Sequence, residues 1–202
     1  MFFESGALAT SYVLKTFKGQ ALRMAWFPGP ADARWAMNFD AAVRKTLDAG
    51  KGELKSLTLV EGGWGAPYIT VQSGLVRLVA KAGPVDVILA NGPAAEFSAR
   101  FFPTAGQQLK IVSLYATEGV VTEMKKGRIT AMVANSPVAE ARVAVDLAVR
   151  ALERQRMPKT VHIPLRLITQ NEIASYSVDD ALAPLNLRMP LPKLPPVQNA
   201  RH

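Results

Sequence analysis

Residues 85–95 read V-D-V-I-L-A-N-G-P-A-A, and this short stretch decides the fold class. A mostly apolar run ends at Ala90, and Pro93 follows within three positions. Strands that are buried on both faces of a parallel sheet read as such runs. Proline suits the first turn of a helix, where its missing N–H leaves no bond unmade. The stretch therefore predicts a buried parallel strand that leads directly into a helix.

The same unit recurs along the chain. Pro30, Pro67 and Pro137 also follow apolar runs and precede segments with helical spacing. The predicted strands are Ala21–Phe27, Leu57–Val60, Val85–Ala90, Leu109–Tyr115, Ile129–Ala134 and Val161–Ile168. The predicted helices cover residues 4–18, 35–47, 66–82, 92–102, 117–126 and 136–154. Repeated strand–helix units imply right-handed crossovers, so we expect an α/β fold, a three-layer αβα open sheet that is mostly parallel and doubly wound.

The second predicted helix carries a regular apolar face. Trp35, Phe39, Val43 and Leu47 are each four residues apart, which places four large apolar groups along one side. Helix ends are predicted at glycines that adopt the left-handed conformation. These glycines are Gly19, Gly50 and Gly83.

Composition excludes several classes of chemistry. The 202 residues include no cysteine and two histidines, His162 and His202, so disulfides, thiolate metal sites and histidine clusters are not expected. The net charge of +8 is spread along the chain. Specific nucleic-acid binding requires a basic stripe or a recognition helix, and the sequence has neither. We therefore predict no metal site and no nucleic-acid partner.

The first residues, Met1–Gly6, lack the basic segment and apolar run of a signal peptide. If the protein is exported, its signal is therefore expected upstream of Met1. The sequence also has no apolar stretch of the roughly 18 residues that span a bilayer.

The turns that follow the predicted strands contain the candidate ligand-binding residues, since ligands of open α/β sheets bind beyond the carboxyl ends of the strands. Aromatic and neutral polar side chains concentrate there, which suits a pocket with aromatic walls. The candidates are Trp35, Trp64, Tyr68, Asn91, Tyr115, Thr117 and Asn135. Two alternatives stay open: Trp35 and Tyr115 are equally compatible with the core, and Asn91 and Asn135 with helix N-terminal caps.

The sequence motifs of nucleotide-dependent and hydrolytic enzymes are incomplete or absent. Gly63-Trp64-Gly65 resembles the start of a dinucleotide fingerprint, but Tyr68 occupies the third glycine position. The sequence contains neither a Walker A motif nor a G-x-S-x-G elbow. No spacing of strand-end carboxylates indicates paired acid–base catalysis. We therefore predict a binding protein with no catalytic residue and no cofactor.

Four further stretches carry a resemblance to a known family. They are L-K-I-V-S-L-Y-A-T at 109–117, K-K-G-R-I-T-A-M-V-A-N-S-P at 125–137, A-R-V-A-V-D-L-A-V-R-A-L-E at 141–153 and the closing strand at 164–169. With residues 85–95, their succession resembles the carboxyl-terminal half of type I periplasmic binding proteins. Phe27-Pro-Gly-Pro30 with Trp35, and Asp180-Ala-Leu-Ala-Pro184, make it most similar to the TorT subfamily of periplasmic trimethylamine N-oxide (TMAO) sensors.

The resemblance implies an organisation and a function. Such proteins have two lobes that close on a small ligand, and residues 1–135 with 158–182 would form one solute-binding lobe. Residues 136–157 would form a helix that packs on the first lobe, and 183–202 a proline-rich tail. The resemblance also implies a periplasmic location, a TMAO-like ligand and a membrane sensor histidine kinase as partner. Without a first lobe, the apolar face of helix 137–154 is expected to self-associate.

Three other functions remain open. One is a receptor for a sugar or another polar solute that serves an ABC transporter. Another is the effector lobe of a LacI-type transcriptional regulator, which shares the fold and would carry an upstream helix-turn-helix. The third is a Rossmann-like enzyme, which the failed fingerprints disfavour.

Overall fold

The computed structural model describes residues 1–102, 109–178 and 181–182. Six strands form a single sheet in these residues. They are β1 (Ala21–Phe27), β2 (Ser56–Glu61), β3 (Val87–Ala90), β4 (Lys110–Ser113), β5 (Ala131–Ala134) and β6 (Arg166–Thr169).

Helices alternate with these strands as the proline and spacing pattern predicts. They are α1 (Phe2–Thr16), α2 (Arg34–Gly50), α3 (Gln72–Arg77), α4 (Gly92–Phe101), α5 (Glu118–Lys125) and α6 (Pro137–Leu152). The π-helical segments Pro67–Val71 and Leu78–Ala82 extend α3 in both directions, and 3₁₀ turns occupy Lys51–Glu53 and Ile173–Ser175.

The sheet has the order β2-β1-β3-β4-β5-β6. Its first five strands are parallel, and β6 pairs antiparallel with β5. Helices cover both faces: α1 and α2 pack over the buried Trp26, whereas α3, α4 and α5 pack over the buried Phe27 on the opposite face. The prediction of a three-layer, mostly parallel, doubly wound α/β fold is confirmed.

The order of the strands reverses between β1 and β3. The chain passes from β1 outward to the edge strand β2 and then returns past β1 to β3, where Phe27 is in register with Ala90. The helices that follow β1 and β3 therefore lie on opposite faces. A crevice opens where the strand order reverses in this way, beyond the carboxyl ends of the strands.

Two local predictions were wrong. The final strand spans Arg166–Thr169 instead of Val161–Ile168, and Pro164, which has no N–H to donate to a ladder, lies just before it. Gly50 does not adopt a left-handed conformation; its φ is −100°. A Cβ at Gly50 would lie 2.4 Å from Leu14 Cδ1, so any larger residue there would force the Leu14 side chain to shift.

Helix α6 lies outside the packed layers, and it contains no buried residue. Val145 and Leu152 on this helix are 65% and 85% exposed. Its packing against another lobe stays a prediction, and the predicted proline-rich tail, 183–202, lies outside the described residues. No helix in the described part of the chain combines the length and apolar character needed to cross a bilayer.

Candidate functional site

A cavity of about 410 Å³ opens at the carboxyl edge of the parallel strands. Three predicted residues reach it from three different connections: Trp35 at the start of α2, Tyr115 after β4 and Asn135 after β5. The complete lining is Met1, Phe2, Ser5, Trp35, Phe39, Tyr115, Asn135, Pro137, Glu140 and Leu165. The parallel strands bring Trp35, Tyr115 and Asn135 together because the carboxyl ends of these strands share one edge.

Phe39 is the centre of an aromatic wall. Its ring stacks on Tyr115 with centroids 6.1 Å apart and planes inclined by 12°. Trp35 and Phe2 approach the same ring edge-on, with centroid distances of 6.0 Å and 5.5 Å. Such pairs contribute about 0.5–1.5 kcal/mol each beyond the area they bury. The wall is therefore held in place without a ligand.

Tyr115 is held close to the start of α4. Burial raises the pKa of its phenol to about 12, although a hydrogen bond from the Gly92 backbone acts in the opposite direction. The phenol is therefore protonated at neutral pH and retains its O–H donor. A Cβ on Gly92 would lie 2.7 Å from Tyr115 Cε2, so only glycine at position 92 leaves room for this ring.

Asn135 ties the exits of β4 and β5 together. Its Oδ1 accepts a hydrogen bond from the Ala116 N–H at 3.2 Å. This bond orients the side chain, so the amide N–H₂ group points away from the Ala116 N–H. Ser5 supports the same region because its hydroxyl donates to the Leu114 carbonyl, which anchors α1 beside the cavity.

Asn91 and Thr117 serve as helix caps. Asn91 is 2% exposed; its Oδ1 accepts from the Ala94 N–H at 3.2 Å, and its Nδ2 donates to the Phe27 carbonyl at 3.3 Å. Thr117 Oγ1 accepts from the Val120 N–H at 3.1 Å. Both side chains satisfy backbone groups at helix starts, and neither lines the aromatic cavity.

Trp64 lies apart from this cavity, in the turn between β2 and α3. The flanking glycines, Gly63 and Gly65, have φ values of +126° and +146°, which a β-carbon would strain. Trp64 is half-buried there and is not part of the lining. Tyr68 begins the next helical segment, and its side chain lies outside those that the structure describes.

Sequence reasoning did not identify several cavity residues. Phe39 was assigned only to the apolar face of α2, but that face turns toward the cavity at its amino-terminal end. Phe2 and Glu140 come from the first turns of α1 and α6, which flank the strand exits. Glu140 could have been predicted as a cavity residue from its proximity to Asn135 along the chain. No comparable indication for Phe2 exists in the sequence.

Charge within the site is sparse. Among the described lining residues, Glu140 is the one with a charged side chain. The described part of the chain also contains no cluster of three or more His, Cys, Asp or Glu side chains able to hold a metal ion. The site therefore offers aromatic faces, neutral hydrogen-bonding groups and one carboxylate.

Structural comparison defines the class of this fold. The chain aligns with an ABC transporter solute-binding protein from Bradyrhizobium sp., solved with bound Bis-Tris, with a TM-score of 0.77 and 24% identity over 93% of this chain and 56% of that one. It aligns with a solute-binding protein from Actinobacillus succinogenes with bound D-allose, with a TM-score of 0.69 and 14% identity over 87% and 61% of the chains. The chain has the fold of one lobe of a type I periplasmic solute-binding protein.

Within this class the chain is similar to the periplasmic protein TorT of Escherichia coli. The two are 22% identical over 187 residues, which are 92% of this chain and 53% of TorT. The TorT complex with the TorS sensor domain, without ligand, aligns with a TM-score of 0.79 and 18% identity over 93% and 62% of the chains. No family model matches. The chain spans about half the length of the curated relatives it matches.

Proposed function

We propose that this chain is a ligand-gripping lobe of a periplasmic solute-binding protein, and that its ligand is a small amine oxide of the TMAO type. The aromatic cavity at the carboxyl edge of the sheet is the observation that carries the proposal. Its walls bring Trp35, Phe39 and Tyr115 together beside Asn135. A binding lobe acts by gripping its ligand, without chemical turnover.

The aromatic wall suits the cationic part of such a ligand. TMAO carries a positive nitrogen surrounded by methyl groups, and the negative faces of aromatic rings attract it by up to about 2 kcal/mol per ring when water is excluded. The carboxylate of Glu140 adds attraction of the same sign. Methyl groups also bury apolar surface against Trp35 and Phe2.

Neutral donors suit the anionic oxygen of the ligand. The Tyr115 phenol keeps its proton because burial raises its pKa to about 12. The amide N–H₂ of Asn135 is the second donor that we assign to this oxygen. One face of the cavity would then bind the cation, and the other would bind the oxygen.

A sugar is the alternative ligand, and the likeness to the D-allose-bound protein favours it. A sugar presents several hydroxyl groups that each require a partner when buried. The cavity lining offers few polar side chains, mainly Tyr115, Asn135 and Glu140, because the Ser5 hydroxyl already donates to the Leu114 carbonyl. We therefore place amine oxides ahead of sugars.

The similarity to TorT supports a periplasmic location and a membrane sensor histidine kinase as the partner that reads the ligand state. The structure of the TorS sensor domain–TorT complex in the presence of TMAO, which aligns with a TM-score of 0.74 and 19% identity, supports the same assignment. Ligand binding would shift an equilibrium between open and closed lobes, and the partner would respond to that shift. A transporter is the alternative partner.

The three tryptophans of the chain allow a direct test. In a ¹⁵N-labelled sample, each indole N–H gives a separate resonance: Trp35 in the cavity, Trp64 in a distant turn, and Trp26, whose Nε1 donates to Asp40 Oδ1 at 2.9 Å. Titration with TMAO should shift the Trp35 resonance most and leave the other two nearly unchanged.

D-allose and D-glucose are the comparison ligands in this titration. A response of Trp35 to either sugar and none to TMAO would assign the cavity to sugars. Equal shifts at Trp64 and Trp35 would show that the site extends to the turn after β2. If no ligand changed the chemical shift of any of the three indole N–H groups, binding by this lobe would be refuted.

A further inference from the structure

The outer edge of β2 is exposed and could pair with another strand. The strand lies at one end of the sheet, and no strand of the described residues pairs with its outer side. Ser56, Thr58 and Glu61 are exposed, and Leu57, Leu59 and Val60 are partly exposed. An edge of this length with apolar side chains is a ready site for another strand.

The hydrogen bonds of the inner side determine which groups face outward. The Lys55 N–H donates to the Gln20 carbonyl at 2.9 Å, toward β1. Because backbone groups alternate in direction along a strand, Leu57 and Leu59 also direct theirs toward β1. The N–H and C=O groups of Ser56, Thr58 and Val60 therefore point away from the sheet.

We propose that a second copy of this chain pairs with β2 in antiparallel fashion, with Thr58 on the twofold axis. In this register Ser56 faces Val60 of the second copy, and Thr58 faces Thr58. These are the residues with outward backbone groups, so each pair exchanges two hydrogen bonds, about six in total. The sheet would continue through the dimer as twelve strands, twice the six of one copy.

The side chains of β2 are complementary in this register. Lys55 faces Glu61 of the second copy at both ends, and Leu57 faces Leu59 of the second copy between them. The Glu61 carboxylate also binds Arg44 of its own copy at 2.6 Å, so Lys55 would be its second cationic partner. Opposite charges and apolar pairs across antiparallel strands each stabilise by roughly 0.2–1 kcal/mol. A shift by two residues in either direction would place Lys55 against Leu59 or Glu61 against Leu57. The charges therefore favour one register.

An open groove of about 520 Å³ lies beside the strand. Leu47, Leu57 and Leu59 form its apolar part, and its charged lining residues are Arg44, Lys45, Asp48 and Lys51. In the paired arrangement the two grooves would meet along the axis. The partly exposed side chains of Leu57 and Leu59 would then be buried against their equivalents in the second copy.

Thr58→Pro tests the pairing with little effect on the fold. Proline at position 58 removes an outward N–H and leaves the hydrogen bonds to β1 in place, whereas Thr58→Val keeps the N–H and is the control. By sedimentation equilibrium, the parent and T58V chains should dimerise, and T58P should dimerise at least tenfold more weakly. A parent chain that stays monomeric at millimolar concentration, or a T58P chain that dimerises equally well, overturns the proposal.

The absence of cysteine from the sequence allows a second test that does not depend on T58P folding. Cα atoms of a hydrogen-bonded antiparallel pair lie about 5.5 Å apart, within disulfide range. Thr58→Cys should therefore form a disulfide-linked dimer under mild oxidation. Ser56→Cys should not, because its equivalent in the second copy lies about 14 Å away along the strand at ~3.4 Å per residue. Crosslinking of both variants alike overturns the register.

The exposed face of α6 is the competing surface. Leu152→Glu places a charge on that face and leaves β2 unchanged. If L152E abolishes dimerisation and T58P does not, α6 forms the contact and the proposal for β2 fails. Neither outcome affects the aromatic cavity, so this test is independent of the proposed ligand.

Discussion

The ring of Tyr115 stacks on the ring of Phe39, with the planes 12° apart and the centroids separated by 6.1 Å. Tyr115 leaves the end of β4, whereas Phe39 lies on α2, more than seventy positions earlier in the chain. The contact joins a strand exit to the helix that covers the same face. It places a protonated phenol and three further aromatic side chains at one edge of the sheet.

Removal of the Tyr115 ring should affect both stability and ligand binding. Tyr115→Ala deletes the stack on Phe39 and leaves a cavity, so the free energy of unfolding should fall by about 2–4 kcal/mol in urea denaturation. Tyr115→Phe keeps the ring and loses only the donor. It should retain most of the stability but bind TMAO several-fold more weakly by NMR titration. Unchanged TMAO binding in Y115F would show that the hydroxyl does not contact the ligand oxygen.

Gly92 should tolerate no side chain. In Gly92→Ala the new Cβ would lie 2.7 Å from Tyr115 Cε2 and 2.8 Å from Thr117 Cγ2, so the ring must move. We expect a loss of about 1–3 kcal/mol in stability and weaker TMAO binding. Gly52→Ala is the matched control, because a Cβ there meets no atom within 4 Å. Equal stability of the two variants would contradict the close packing of Tyr115.

Glu123 should make stability depend on pH. Its side chain is 2% exposed and accepts hydrogen bonds from Lys126 Nζ at 3.0 Å and Arg128 Nη1 at 2.9 Å. Burial alone would raise the pKa of this carboxyl, but the two cations outweigh it and hold the pKa below its usual value. The ionised carboxylate is therefore more favourable in the folded chain than in the unfolded one.

The sign of the effect follows from this lowered pKa. The stabilisation is complete above the unfolded pKa of about 4.3 and is lost as the pH falls through the lower, folded value. Glu123→Gln should therefore cost about 1–3 kcal/mol at pH 7 and progressively less below about pH 4. Glu153→Gln, at an exposed position, should show little cost at either pH. A cost for E123Q that is the same at pH 7 and pH 3 would exclude this linkage.

Asn91 should act on stability and not on ligand binding. Asn91→Ala removes the cap of α4 and the bond to the Phe27 carbonyl, so we expect a loss of about 1–2 kcal/mol. Asn91→Asp keeps the capping oxygen and should lose less. Where N91A remains folded, its Trp35 indole should respond to TMAO as in the parent chain. A selective loss of that response would show that Asn91 contributes to the ligand site.

Much of the fold could be predicted because its signals are local. An apolar run such as Ala21–Phe27, or a proline such as Pro93, marks a strand or a helix start from its neighbours alone. Prediction was least accurate at the closing strand, where the apolar run from Val161 begins before the sheet. Residues 161–165 are mostly exposed because they precede the strand and run beside α6.

The candidate site was predicted in part. Trp35, Tyr115 and Asn135 meet at one cavity because parallel strands end at the same edge, which the alternation of strands and helices already implied. Trp64 follows the edge strand β2 and lies away from that cavity. Asn91 shares a strand-end position with Asn135, but its oxygen is used by the N–H of Ala94.

The sequence by itself determined the order of the elements, the parallel direction of the first five strands and the edge at which the candidate cavity opens, because each follows from short-range pattern and chain connectivity. The tertiary structure decided which side chains at that edge face the cavity and which satisfy the backbone. It also placed the buried Phe39 at the centre of the aromatic wall. Those outcomes depend on how α1, α2 and α6 pack around the strand exits, and packing between elements distant in the chain leaves no local signature.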